Sequence, residues 1–292
     1  MARILKLLAV FVLVLTVSYC SDDDDEPTIK GLTFSINGLE NLGADYVYEG
    51  WIIVDGAPLS TGRFSVDDNG NLSQNSATLN INDVDSASTF VLTIEPAVGD
   101  DPAPSNVHLL AGDFTGKTGQ LTVDHAAALG NDFTSASGTY ILATPTDGAM
   151  TNENSGIWFL DLSSGSPSVG LSLPILPAGW KYEGWVVSGG TPITSGTFTS
   201  VTGVDEFDGY SSTMSGPPFP GEDYLVNAPS GLTFPLDLSG GKAVISIEPD
   251  PDNSPAPFLL KPLVGDIPAN AADHVTYDLG QNLNFPTGTV IR

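Results

Sequence analysis

Residues Tyr48–Phe64 read YEGWIIVDGAPLSTGRF, and residues Tyr182–Phe198 read YEGWVVSGGTPITSGTF. The stretches align without a gap: Tyr, Glu, Gly, Trp, Gly, Pro, Gly and Phe are identical, and several other positions exchange Ile for Val or Ser for Thr. A chain that repeats itself in this way reads as a duplication. Within the first copy Tyr48, Gly50, Ile52 and Val54 fall on one side of an extended strand and Val47, Glu49, Trp51 and Ile53 on the other. Both faces are mainly apolar, which suits a strand covered on both sides. Asp55-Gly56-Ala57-Pro58 then turns the chain, Leu59 to Val66 returns, and Asp67-Asp68-Asn69-Gly70-Asn71 turns it again, the pattern of successive hairpins.

A second signature lies downstream. Phe90-Val91-Leu92-Thr93-Ile94-Glu95-Pro96 alternates apolar and other residues, as does Ala243-Val244-Ile245-Ser246-Ile247-Glu248-Pro249. Each Glu-Pro leads into an acidic loop containing Pro-Ala-Pro, at Pro102–Pro104 and Pro255–Pro257, where proline stops a ladder. The offset between copies is 134 at Tyr48/Tyr182 (182 minus 48) and 153 at Glu95/Glu248 (248 minus 95), so the second copy carries about 19 extra residues. They fall near Phe207–Pro229, whose core Gly216-Pro217-Pro218-Phe219-Pro220-Gly221 is expected to be a loop, because three prolines cannot join a sheet. Upstream, Leu32–Ile36 reads as a strand ending at the Asn37-Gly38 turn.

With 292 residues, 32 glycines and 22 prolines, and no sustained helical periodicity, the chain is expected to be all-β, built as two tandem antiparallel β-sandwich domains at residues 31–146 and 147–292. Each repeat is expected to close with its own strand, Gly138–Leu142 in the first and Gly288–Ile291 in the second, with Thr144–Ser155 as linker.

Arg3 and Lys6 precede the apolar run Leu7–Val17, too short to span a bilayer of about 30 Å, so residues 1–19 read as a signal peptide. The lone cysteine, Cys20, follows at once and is itself followed by SDDDDE; it offers neither a disulfide framework nor a cysteine metal cluster. Asp and Glu outnumber Lys and Arg by 35 to 9, giving a formal charge of −26. Such a surface repels nucleic acid and anionic headgroups and is compatible with cations, sugars or basic proteins.

The leader resembles that of bacterial lipoproteins, with Cys20 as the lipidated first residue of the mature chain and residues 20–30 as an acidic tether of the kind borne by surface lipoproteins of the Bacteroidetes group. Tyr19 departs from that pattern, in which a small residue precedes the cysteine. The resemblance implies an outer-membrane lipoprotein exposed at the surface, with a periplasmic or secreted protein as the alternative, and contact with the membrane through the lipid alone.

The ordered set of the tryptophan strand, the Gly-x-Phe return strand and the Val-Leu-Thr-Ile-Glu-Pro strand resembles the extracytoplasmic C-terminal domain of anti-sigma-K factors, over most of the first repeat and more loosely the second. That resemblance implies a small β-sandwich outside the membrane. Anti-sigma factors hold their sigma factor with a cytoplasmic helical domain, whereas here the outer domain follows the leader directly. The implied role is sensing, scaffolding or interaction with an envelope protein or glycan, without catalysis or cofactor.

Candidate chemistry is sparse. Glu49 and Glu183 occupy equivalent places in apolar strands, and Glu95 and Glu248 end equivalent strands; acid–base pairing as in a glycosidase competes with a structural role as hydrogen-bond acceptors. The histidines, His108, His125 and His274, lack zinc-ligand spacing. Asp67–Asn71, Asp205–Gly209 and Asp250–Asn253 offer oxygens that suit calcium, but none closes with the bidentate Glu of the twelve-residue loop, and turns are the preferred reading. Trp51 and Trp185 are expected in the core with Tyr48 and Tyr182, while Trp158 and Trp180 are less constrained and left as exposed ligand candidates. A carbohydrate-binding or calcium-assisted adhesion module is the alternative function, and a hydrolase stands third.

Overall fold

The computed structural model describes residues 28–292 apart from residue 253. The expected signal peptide, Cys20 and most of the tether lie outside the described residues.

In chain order the strands are β1 (Ile29–Asn37), β2 (Tyr46–Val54), β3 (Ala57–Phe64), β4 (Ser76–Asn80), β5 (Thr89–Pro96), β6 (His108–Thr115), β7 (Thr118–Leu121), β8 (Ser137–Leu142), β9 (Gly156–Trp158), β10 (Leu160–Asp161), β11 (Ser168–Val169), β12 (Leu171–Ser172), β13 (Trp180–Ser188), β14 (Thr191–Phe198), β15 (Gly221–Asp223), β16 (Lys242–Pro249), β17 (Leu263–Asp266), β18 (Tyr277–Gln281) and β19 (Thr287–Ile291). Among the described residues a short α-helix, α1 (Ile81–Ser86), follows β4, its first turn capped by the Asn80 side chain on the Asn82 N–H. The chain is thus all-β, in two large antiparallel sheets ordered β3-β2-β5-β6-β7-β19-β1-β4 and β14-β13-β16-β17-β18-β8-β9-β15. Each curls nearly into a barrel, bringing its two edge strands into contact, β3 with β4 and β14 with β15.

The repeated stretch is the hairpin β2-β3 and its equivalent β13-β14, and its identical residues have a steric reason. Pairing shifts between Gly50 and Trp51, because Gly50 faces Gly62 while Trp51 faces Ser60, which leaves Thr61 as a bulge residue. The same shift at Gly184/Trp185 leaves Ser195 over. A Cβ on Gly50 would lie 2.4 Å from Thr61 Oγ1 and 2.7 Å from the Phe90 ring, and one on Gly184 would lie 2.2 Å from Ser195 Oγ and 2.6 Å from Phe159. Gly62 and Gly196, at φ +104° and +117°, carry the backbone through the bulge. The inner face of the hairpin then packs Tyr48, Ile52 and Phe64, with Phe90 and Leu92 of β5, into the main core. Trp51 lies on the other face with Val91, Ala111 and Ala128, buried beneath the loop after β7.

The order of strands corrects the expected closure. β19, the last strand of the chain, lies between β7 and β1 in the first sheet, pairing Phe34 with Val290 and Gly119 with Val290. β8, which the sequence reading gives to the first repeat, lies between β18 and β9 in the second sheet, pairing Tyr140 with Tyr277 and Ile141 with Trp158. The halves therefore exchange their closing strands. The main apolar core runs through both sheets, including Phe34 and Tyr48 of the first and Trp180, Tyr182 and Phe258 of the second.

The inserted segment is a loop around Gly216–Pro220 as expected, but its end forms β15, which pairs with β9 and supplies the edge that β4 supplies in the first sheet.

Candidate functional site

The four candidate glutamates fall into two equivalent pairs. Val47 faces Glu95 and Glu49 faces Thr93 across β2 and β5, so Glu49 and Glu95 share one face of the first sheet. Glu49 accepts a hydrogen bond from the Ser60 hydroxyl. Both Glu95 oxygens accept from the Ser105 N–H, at 2.9 and 3.2 Å, which fastens the acidic loop to the end of β5. In the second sheet Glu183 accepts from the Thr194 hydroxyl, and both Glu248 oxygens accept from the Phe258 N–H, at 2.9 and 3.1 Å. Ser105 and Phe258 are equivalent positions, so Glu95 and Glu248 do the same work of closing a Pro-Ala-Pro loop.

The two copies differ in counter-charge. In the first, Arg63 Nε stands 3.6 Å from Glu49 Oε2 and its Nη2 stands 3.7 Å from Asp100 Oδ2. In the second, Thr197 takes the place of Arg63. Lys181, the nearest cation on β13, is directed to Glu206 at 2.8 Å and Asp250 at 3.6 Å. Carboxylate oxygens of Glu183, Glu248 and Asp252 come within 4.8 Å of one another, beside a cavity of about 320 Å³ that Lys181, Thr197 and Asp250 also line. Burial, with the neighbouring carboxylate charges, pushes Glu183 up to about 7 and Glu248 up to about 8. Burial also raises Glu95. Asp252, read from sequence as part of a plain turn, thus joins two buried acids in a group whose donors suit a hard cation.

Trp158 and Trp180 are not exposed, contrary to expectation. No tryptophan is more than 4% exposed. The Gly216 backbone lies against the Trp158 indole, so close that a Cβ there would meet the ring at 2.2 Å, and Trp180 packs on Phe258. The Trp158 Nε1–H donates to Asp223 at 2.8 Å. Trp51 and Trp185 are buried as expected, donating to Thr93 Oγ1 and Ser246 Oγ. His108 Nδ1 meets the Ala127 carbonyl, His125 accepts from the Ala127 N–H and stands beside Asp113, and His274 meets Asp273.

Sequence reasoning missed Asp205, Glu222 and Asp223 as a group. Asp223 is fully buried and accepts from the Thr146 N–H at 2.9 Å, the Thr146 hydroxyl and Trp158. Glu222 is fully buried too and takes the Ser211 hydroxyl and the Asp223 N–H. Asp205 accepts from the Gly221 N–H at 2.7 Å and the Phe207 N–H at 3.0 Å. Burial pushes Asp205 and Glu222 up to about 7. Together they pin the inserted segment over a cavity of about 490 Å³, within the range of small-ligand sites. The available signal was Gly221-Glu222-Asp223-Tyr224-Leu225, two acids inside an otherwise sheet-like run.

Residues 25–108 match the profile of the family described as Anti-sigma-K factor rskA, C-terminal. No curated protein and no solved structure matches the chain. The matched span runs from before β1 to the start of β6 and includes the bulged hairpin, Trp51 and the Glu95 strand. The matched part of the first repeat is therefore similar to the C-terminal domain of that family.

Proposed function

We propose that the chain is a non-catalytic envelope lipoprotein, anchored through Cys20, in which two domains of the anti-sigma-K C-terminal type serve as an interaction, sensing or scaffold module. The family match carries this reading. The second half extends it: β13-β14, β16 and β17 repeat the pairing of β2-β3, β5 and β6 around the same bulge and the same buried tryptophan. The carboxylates favour architecture over catalysis, because Glu95 and Glu248 each spend both oxygens on the backbone of a loop. Among the described residues the one α-helix has six residues, and the candidate interaction surfaces are loops on sheet frameworks. The test is metabolic labelling with a fatty-acid analogue followed by cross-linking in intact envelopes. Label should reside on the wild type and vanish from Cys20→Ala, and a discrete cross-linked partner should appear. An unlabelled wild type would end the lipoprotein reading.

A calcium-assisted module is the second reading, favoured by the convergence of Glu183, Glu248 and Asp252 where the first sheet has Arg63 among its acids. Calcium titration should raise the melting temperature saturably, and Glu183→Gln should abolish the rise. The tryptophans supply no stacking platform for the glycan alternative, since all four are buried.

A further inference from the structure

The segment that roofs the larger cavity has no counterpart in the first repeat, and it is held by more than loop chemistry. Two fully buried carboxylates, Glu222 and Asp223, point into the protein and hold Ser211, Thr146 and Trp158 in fixed positions. Buried acids are costly unless satisfied, so their use to order a surface insertion yields a rigid, preformed cavity.

The lining has a definite chemistry. Asp205, Glu206 and Asp208 supply carboxyl groups, and no lysine or arginine lines the cavity. Glu206 is already paired with Lys181, and the Asp205 oxygens accept from the Gly221 and Phe207 N–H groups, which leaves the exposed Asp208 to set the local field. Ser211, Ser212 and Thr213 add hydroxyl acceptors. Val204 and Met214, 68% and 55% exposed, give the cavity apolar side chains open to solvent. The Trp158 ring is covered by Gly216, which closes that indole to a stacking sugar.

We propose that this cavity receives a basic side chain of a protein partner, an ammonium or guanidinium group carried beside an apolar residue. The inference rests on the interaction-module reading and names the chemistry of the partner. The cation sits against Asp208, and the neighbouring apolar residue packs on Val204 and Met214. The first repeat contains the same chemistry internally, where the Arg63 guanidinium lies between Glu49 and Asp100. The acidic surface as a whole draws such a partner in and makes the encounter salt-dependent.

The test uses the full chain in mild detergent and a dye-labelled peptide, acetyl-Gly-Leu-Lys-Leu-Gly-amide, with norleucine in place of lysine as its neutral twin. Polarisation should show the lysine peptide binding at least about tenfold more tightly than the twin, with affinity falling steeply between low and high salt. Asp208→Asn and Met214→Ser, each with an unchanged melting temperature, should each weaken binding several-fold. Cadaverine should compete only weakly, because it lacks the apolar neighbour; competition as strong as the peptide's would instead assign the cavity to free amines and overturn a protein partner. Equal binding of the two peptides, no binding of the lysine peptide, or full affinity in both folded variants would overturn the inference. The module reading is judged separately: a cross-linked envelope partner that engages Asp208→Asn as well as it does the wild type sinks the cavity assignment and leaves the module standing.

Discussion

Val290→Ala tests the exchange of closing strands most directly. Val290 belongs by sequence to the second half, yet it is fully buried in the first sheet, opposite Phe34 on one side and Gly119 on the other. Gly119 leaves it room, since a Cβ there would come within 2.9 Å of Val290 Cγ1. The substitution removes two buried methyl groups, about 0.8 kcal/mol each, and adds a cavity cost because the flanking strands are held by their ladders, for a total of about 2 to 3 kcal/mol. With a urea slope of about 3 kcal/mol per molar for a chain of this size, the unfolding midpoint should fall by about 0.7 to 1 M. Because the main core runs through both sheets, hydrogen exchange in mild urea should accelerate together in peptides from β2-β5 and from β13-β16. Leu142→Ala in β8 is the mirror experiment. The reasoning fails if the midpoint moves by less than about 0.2 M, or if only first-sheet peptides lose protection while the second sheet keeps its full stability.

The buried acids make stability depend on pH in an unusual direction. Glu40, Glu183, Asp205 and Glu222 sit near 7 and Glu248 near 8 in the folded chain, well above their ordinary values near 4. The folded state therefore holds more protons than the unfolded state between about pH 4.5 and 8, and stability falls as pH rises through that window. Melting temperature should be higher at pH 5.5 than at pH 8.5, and Glu248→Gln should flatten the slope; a steeper slope would contradict the assignment. Gly50→Ala should cost about 2 to 3 kcal/mol in chemical denaturation, because its methyl meets Thr61 and Phe90, whereas Gly56→Ala, with open space around its Cβ, should cost less and only through its positive φ. Thr197→Arg, which places in the second sheet the guanidinium that the first sheet has, should remove any thermal response to calcium and stabilise the chain by about 1 kcal/mol at pH 8. A calcium response that survives the arginine would separate the ion from this cluster.

Much of the framework was legible because local pattern and final environment agree. The alternation in Tyr46–Val54 and Phe90–Pro96 matches β2 and β5 closely, and the repeat announced β13 and β16. The exchange of closing strands was not legible, since Gly138-Thr139-Tyr140-Ile141 and Gly288-Thr289-Val290-Ile291 carry nearly the same local signal. Which slot each fills is decided by how the intervening connections run, a long-range matter that periodicity does not record. Trp158 stands in the short apolar run Ile157–Leu160 and Trp180 follows Pro177-Ala178-Gly179, so neither is constrained by a repeat pattern, and their burial comes from Gly216 and Phe258, distant in sequence. The acids of the inserted segment were hidden for a related reason. Asp205 looked like part of a turn, and only the return of β15 to β9 brings Gly221 to its carboxylate.

The placement of β19 beside β1 also decides where the two ends of the folded chain emerge. Thr33 faces Ile291 across that ladder, so the segment leading in from the N-terminus and the final Arg292 issue from adjoining strands. Arg292 is itself clamped there, donating to the carbonyls of Gly116 and Val84 and stacking on Phe114. A reporter or affinity handle fused behind Arg292 would begin its path on the side where the N-terminal segment enters β1, crowding that end of the fold, whereas one spliced into the loop at Gly99 would start from a different part of the same sheet.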